Sequence, residues 1–200
     1  RESSVTLAAI EKDELTGLYT RQAFYHHART FTHFMTEEKF HVVILDVADF
    51  KLINGTYGTK KGNEVLVYLS NAFRYYVKNG LLTRYEGDQL LGLFHSKVKM
   101  DVERINRNIN KIAEEAPIPN IRIKVGIYED VDTNLSIPII CDRALMAEKS
   151  ISKDFKTNVA FYTDELNQKQ LAQRQMENDF KSAISNREFK VYYQPKYDVN

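Results

Sequence analysis

The sequence predicts a mixed α/β (α+β) domain in which one β-sheet is covered by helices. Two observations predict this class. Short apolar segments, typical of buried strands, alternate along the chain with longer segments in which apolar residues recur every three or four positions. At 43% hydrophobic and 12% aromatic residues, the 200-residue chain can bury a core, which excludes a disordered protein.

The first half of the chain predicts a helix, a strand and a second helix. Residues 22–38 are predicted as a helix because apolar side chains return at three- and four-residue steps. Residues 40–47 are almost continuously apolar, which is typical of a strand buried on both faces. A polar, glycine-spaced segment follows at residues 49–62, where no helix or strand is predicted. Helical periodicity then returns at residues 64–77.

The second half predicts a hairpin followed by alternating elements. Residues 81–85 and 89–94 are short apolar strands, and the Glu86-Gly87-Asp88 segment between them indicates a tight turn, because Gly87 can adopt a positive φ. The remaining predictions are a helix at 98–116 that prolines end, a strand at 121–128, a helix at 139–150 and a strand at 159–162.

Both ends of the chain predict neighbouring domains. Residues 1–12 have the pattern of a helix that arrives from an upstream linker, and residues 13–163 contain the predicted domain. Residues 164–187 predict a polar linker helix, and residues 188–200 predict the first strand of another domain. We therefore expect a piece of a longer protein.

Composition restricts the classes of partner. The 28 basic and 27 acidic residues leave a formal charge of +1, so there is no overall electrostatic reason to expect a nucleic-acid partner. The single cysteine, Cys141, excludes an internal disulfide framework, and its apolar helical neighbours predict a core position. No membrane-length apolar run or secretory leader is present, so we expect a cytoplasmic domain, whose parent protein could be anchored upstream.

Four ordered motifs carry the chemistry: Asp13-Glu-Leu-Thr-Gly-Leu-Tyr-Thr-Arg21, Asp46-Val-Ala-Asp-Phe-Lys-Leu-Ile-Asn54, Arg84-Tyr-Glu-Gly-Asp-Gln-Leu90 and Asp142-Arg-Ala-Leu-Met-Ala-Glu-Lys149. In this order and spacing the chain resembles the GGDEF family, the diguanylate cyclases that join two GTP molecules into cyclic di-GMP. The resemblance covers residues 13–162. It implies a central, mainly antiparallel, ferredoxin-like sheet flanked by helices, similar to the palm of nucleotidyl cyclases and polymerases.

The resemblance also implies ligands. The resemblance implies that the Mg²⁺ accompanying GTP is bound by Asp46, the backbone carbonyl oxygen of Val47 and Asp88. Asp46 ends a predicted strand and Asp88 lies on the neighbouring hairpin, where carboxylates can converge on one ion, although solvated turn aspartates are the alternative. The implied nucleotide-binding residues are Lys51, Asn54, Asn63, Lys149 and Lys153.

Several positions depart from the family pattern. Ala48 stands where the family has a second aspartate, and Gln89 stands where it has the glutamate implicated in activating the 3′-hydroxyl. An amide cannot accept that proton. Glu86 replaces the first glycine of the signature, and like charges 4 Å apart cost about 4 kcal/mol at an effective dielectric constant of 20. Asn63 replaces a guanine-binding aspartate. No catalytic set is therefore intact.

Residues 176–196 resemble the opening of an EAL domain, the cyclic di-GMP phosphodiesterase module that often follows a GGDEF domain. We therefore expect a non-catalytic GGDEF domain that serves as a regulatory, GTP-binding or dimerisation module between an upstream sensor and a C-terminal EAL domain. Two alternatives stay open: an active diguanylate cyclase that works as a homodimer, and a scaffold that binds no nucleotide and acts through protein contacts.

Overall fold

The computed structural model describes residues 11–34, 39–95, 97, 99–152 and 157–195. The chain forms two units, one that ends at Thr163 and one that begins at Asp164. The strands of the first unit are β1 (Tyr19–Thr20), β2 (Phe40–Val47), β3 (Gly80–Glu86), β4 (Gln89–His95), β5 (Ile123–Tyr128) and β6 (Val159–Phe161). Its helices are α1 (Arg21–Phe34), α2 (Phe50–Tyr57), α3 (Thr59–Tyr76), α4 (Val102–Glu114) and α5 (Ile137–Lys149).

The six strands form one sheet in the order β1-β3-β4-β2-β5-β6. The central pairs β3–β4, β2–β4 and β2–β5 are antiparallel, whereas β1 and β6 join the two edges in parallel. The predicted mixed fold, with a mainly antiparallel sheet flanked by helices, is confirmed.

Strand β2 has a core on each of its faces, as its continuous apolar run predicts. Phe40, Val42 and Ile44 pack in a cluster with residues of α1 and α5. Val43 and Val47 point to the opposite side and pack in a cluster with residues of α3 and α4. Because successive strand residues alternate between faces, Asp46 lies on the same face as Ile44, toward α5.

The β3–β4 hairpin is present where Glu86-Gly87-Asp88 predicts it. Gly87 adopts a φ of 55°, and a bulge separates Arg84 from Glu86. The Arg84 Nε donates a hydrogen bond to the carbonyl oxygen of Gly87 at 2.8 Å. The turn is thus fixed by its glycine conformation and by one side-chain contact.

The structure differs from the sequence prediction at two elements of the first unit. Helix α2 fills most of the glycine-spaced segment where no element was predicted, and Gly58, at a φ of 83°, separates it from α3. None of the side chains of α2 is buried, so the segment lacks the apolar periodicity that identifies a helix. Strand β1 has only two residues, too few for any pattern.

The second unit contains helix α6 (Asp164–Ser185), close to the predicted polar helix. No strand forms at residues 189–193, because a strand needs a hydrogen-bonded neighbour and none of the described residues pairs with this segment. Tyr192 and Tyr193 are 86% and 92% exposed. Residues 1–10 and 196–200 of the predicted terminal elements lie outside the described residues. In the described part of the chain, no helix has both the length and the apolar character to cross a membrane.

Candidate functional site

The carboxylate of Asp46 is paired with a lysine. Asp46 lies opposite Lys124 in the β2–β5 register, so the two side chains share one face of the sheet. The Lys124 Nζ lies 2.8 Å from Asp46 Oδ2 and also contacts the carboxylate of Glu148, near the end of α5. The side chains of Asp46, Lys124 and Glu148 are 14%, 21% and 2% exposed. One partly buried ammonium group therefore bridges the partly buried carboxylate of Asp46 and the buried carboxylate of Glu148.

The close packing of α5 on β5 places Glu148 over this pair. Gly126 lies two residues after Lys124 on the same face of β5. A Cβ atom on Gly126 would lie 2.2 Å from the carbonyl oxygen of Ala144 and 2.4 Å from the backbone nitrogen of Glu148. Glycine is therefore required where the helix backbone crosses the strand.

Asp88 approaches the same site from the β3–β4 turn. Burial and the negative charge of Asp46 raise the pKa of the Asp88 carboxyl, although backbone N–H groups of Asp88 itself and of Val47 donate to it. The three residues implied as metal ligands, Asp46, Val47 and Asp88, thus lie together in the structure. The sequence analysis named these three residues but did not identify Lys124, which lies beside Asp46.

The local charge does not fit a divalent ion on Asp46. Mg²⁺ prefers a shell of oxygen ligands, whereas one oxygen of Asp46 already accepts from an ammonium group. Burial lowers the pKa of Lys124, but hydrogen bonds to Asp46 and Glu148 raise it more, so the pKa lies above its ordinary value and the group is charged at neutral pH.

The implied nucleotide-binding residues lie in different environments. Lys51 is exposed at the beginning of α2, and Lys149 is exposed at the end of α5. The Asn54 Oδ1 is buried and finds no hydrogen-bond partner among the described residues. It lies against Gly62, where an added Cβ would approach it to 1.9 Å. The amide oxygen of Asn54 is thus turned toward Gly62 and away from solvent. Asn63 is half-buried on α3, and Lys153 lies outside the described residues.

Ala48, Glu86 and Gln89, three positions at which the sequence analysis found departures from the family pattern, lie on or next to β2, which carries Asp46, and the β3–β4 hairpin, which carries Asp88. Ala48 follows β2, and its N–H donates to the carbonyl oxygen of Arg122 at 2.9 Å. Gln89 begins β4 directly after Asp88 and is half-buried. The Glu86 side chain is 75% exposed, and its carboxylate lies 3.8 Å from the guanidinium of Arg21. A solvent-exposed carboxylate near a guanidinium repels an approaching anion less strongly than an isolated, buried carboxylate does.

Sequence reasoning missed Lys124 and Glu148. Lys124 alternates with apolar residues and so resembles a solvent-facing strand position. A signal was present in α5, where Glu148 continues the buried stripe formed by Ile137, Ile140, Cys141 and Ala144 at helical spacing. A charged residue on a buried stripe requires a partner, and Lys124 supplies it.

Comparison with known proteins agrees with the motifs and the sheet. The model of the family "Diguanylate cyclase, GGDEF domain" matches residues 10–153. This chain belongs to the GGDEF family. The domain is therefore one of the GGDEF domains of cyclic di-GMP signalling proteins, and its sheet and flanking helices are those of the family.

Individual relatives are distant. The bifunctional diguanylate cyclase/cyclic di-GMP phosphodiesterase MucR of Pseudomonas aeruginosa is 24% identical over 170 residues, which cover 80% of this chain and 24% of MucR. The diguanylate cyclase DgcM of Escherichia coli K12 is 27% identical over 127 residues, or 60% of this chain and 30% of DgcM. The chain thus spans less than a third of the length of either relative.

The solved coiled coil and GGDEF domain of DgcB from Caulobacter crescentus, in complex with c-di-GMP, superimposes with a TM-score of 0.63 at 19% identity. The match covers 80% of this chain and 90% of the DgcB chain. At this identity the likeness concerns the fold.

Proposed function

We propose that this GGDEF domain is catalytically inactive and serves as a regulatory module, through GTP binding or dimerisation, for an EAL phosphodiesterase domain in the parent protein. The observation that carries the proposal is Gln89, which begins β4 beside Asp88 and presents an amide. Condensation of GTP requires a group that accepts the proton of the 3′-hydroxyl, and a neutral amide has no basic site for it.

The charge around Asp46 supports inactivity independently of Gln89. Phosphoryl transfer depends on cations that bridge phosphate oxygens and neutralise the charge that develops there. Here Ala48 offers no oxygen ligand from its side chain, and Asp46 is paired with Lys124 at 2.8 Å. The side chains that remain thus lack both the expected base and the expected arrangement of carboxylates.

Two exposed lysines support residual binding of GTP. Lys51 and Lys149 have ammonium groups available to phosphate oxygens, and neither role requires turnover. Asn54 would read guanine only after its side chain rotates from Gly62, so we expect weak binding. GTP that favours one conformation of the domain would act as an allosteric ligand for a neighbouring domain.

The C-terminal partner is proposed from the second resemblance. Residues 176–196 resemble the opening of an EAL domain, and MucR is a relative whose name describes both activities in one protein. We expect the parent chain to continue into a phosphodiesterase domain, with a sensor domain upstream. GTP added to the parent protein should change its rate of cyclic di-GMP hydrolysis, and Lys51→Ala should remove that change.

Calorimetry on the 200-residue chain separates the binding roles. We expect GTP to bind at micromolar to low-millimolar concentration, Lys51→Ala to abolish binding, and Lys60→Ala, at an exposed lysine of α3, to retain it. Absence of GTP binding would refute the sensing role and favour the nucleotide-free scaffold. Formation of cyclic di-GMP from GTP and Mg²⁺ would refute the proposed inactivity.

A further inference from the structure

Two carboxylates contact one ammonium group on the α5 side of the sheet, and a third carboxylate lies nearby. Asp46 and Glu148 both contact the Nζ of Lys124, and Asp88 lies near enough to Asp46 to be affected by its charge. Glu148 is buried and both Asp46 and Asp88 are partly buried, so a nearby cation stabilises them, because a low-dielectric environment penalises uncompensated charge. Among the described residues, Lys124 is the cation that contacts this cluster.

We propose that the ammonium group of Lys124 takes the place of a divalent cation on Asp46, so that this domain holds its acidic cluster together without a metal ion. The inference rests on the proposed inactivity of the domain and names the residue that makes the site independent of metal. A divalent ion on Asp46 would lie within a few ångströms of the Lys124 Nζ, and the two positive charges would repel each other.

Lys124 is held from two sides and so cannot readily give way to an ion. Its strand register fixes it opposite Asp46, and Glu148 contacts it from the helix. That helix cannot move outward without losing its contact with Gly126, whose missing side chain permits the crossing of α5 over β5. Displacement of the ammonium group would also remove the cation that contacts the 2%-exposed Glu148.

Thermal unfolding in the absence of nucleotide tests this inference on the whole 200-residue chain. We expect the Tm of the wild type to stay constant when millimolar Mn²⁺ or Mg²⁺ is added. Lys124→Met keeps an unbranched side chain that is one atom shorter and removes the charge, so its Tm should be lower. That Tm should rise by several degrees with each tenfold increase in Mn²⁺ above its Kd.

Two further variants identify the cause. Lys124→Arg keeps a positive charge beside Asp46, so its Tm should not respond to Mn²⁺. The double variant Asp46→Asn/Lys124→Met should show no rise in Tm with Mn²⁺, because the metal then lacks its principal carboxylate. A Mn²⁺ response of Lys124→Met that survives Asp46→Asn would overturn the inference, as would the absence of any response in Lys124→Met.

If Lys124→Met does not fold, metal binding by the wild-type protein tests the inference instead. Calorimetric titration with Mn²⁺ alone should then detect no binding, whereas binding that Asp46→Asn abolishes would overturn the inference. Because these experiments contain no GTP, they test metal binding and not the catalytic formation of cyclic di-GMP. A wild type that binds Mn²⁺ on Asp46 yet forms no cyclic di-GMP would refute the role of Lys124 and leave the proposed inactivity standing.

Discussion

The carboxylate of Asp13 and the guanidinium of Arg84 form an ion pair at 3.2 Å that joins the N-terminal motif to the β3–β4 hairpin. The two side chains are 21% and 24% exposed. Asp13 also accepts hydrogen bonds from the backbone N–H and the hydroxyl of Thr16, at 2.8 and 2.7 Å. Motifs 71 residues apart thus meet in one partly buried contact.

Asp13→Asn should lower the free energy of unfolding at pH 7 by about 1–2 kcal/mol, because it removes the ion pair and weakens the Thr16 contacts. Burial raises the pKa of Asp13, but the hydrogen bonds from Thr16 and the charge of Arg84 lower it more, so the pKa lies below its ordinary value. Its contribution is therefore present above the ordinary pKa and is lost as pH falls through the lower folded-state pKa.

Urea unfolding of the wild type and Asp13→Asn at pH 7 and in acid measures this difference. The difference between the two proteins should shrink below about pH 4. Glu14→Gln, at the exposed neighbouring carboxylate, is the matched control and should change stability by less than about 0.5 kcal/mol. A difference that is independent of pH would contradict the electrostatic explanation.

Gly126→Ala should destabilise the domain by about 3 kcal/mol, because the new methyl group would collide with the backbone of α5 rather than with a movable side chain. Gly55→Ala is the matched control. Nothing lies within 4 Å of a Cβ at Gly55, in the middle of α2, so alanine there should stabilise by about 0.5–1 kcal/mol. Chemical denaturation measures both, and equal effects of the two variants would refute the close helix crossing.

Most of the sheet could be predicted because its central strands are buried on both faces. The strand predicted at residues 40–47 has the same limits as β2 (Phe40–Val47). Elements without a buried pattern could not be found in this way: α2 has no buried side chain, and β1 has two residues. The residue types at 189–193 favour a strand. None of the described residues pairs with this segment, however, and a strand needs a hydrogen-bonded neighbour.

The site could be predicted only in part. The strand end and the hairpin bring Asp46 and Asp88 together, as their positions in sequence suggest. The contact between Lys124 and Glu148 depends instead on how α5 crosses β5, which no spacing in the sequence encodes directly.

Glu86→Gln should change the affinity for GTP by less than about tenfold, because the exposed carboxylate is screened by solvent and lies near Arg21. Calorimetric titration of both proteins at the same ionic strength measures the change. A gain in affinity of a hundredfold or more would instead show that the Glu86 carboxylate faces the phosphates.

Cys141 should be unreactive in the folded protein. Its side chain is 0% exposed, and burial, followed by the negative charge of Asp142, raises the pKa of the thiol to about 12. A disulfide reagent at neutral pH should therefore label the chain only in denaturant. Because Cys141 is the one cysteine of the sequence, rapid stoichiometric labelling of the native protein would place the thiol outside the core.

The most direct test of the central claim is quantification by mass spectrometry of cyclic di-GMP after wild-type protein is incubated with GTP and Mg²⁺. The substitutions at Ala48, Glu86 and Gln89 predict no product above that of an Asp88→Asn control. Accumulation of cyclic di-GMP by the wild type, abolished in Asp88→Asn, would contradict the claim that this GGDEF domain has lost catalysis.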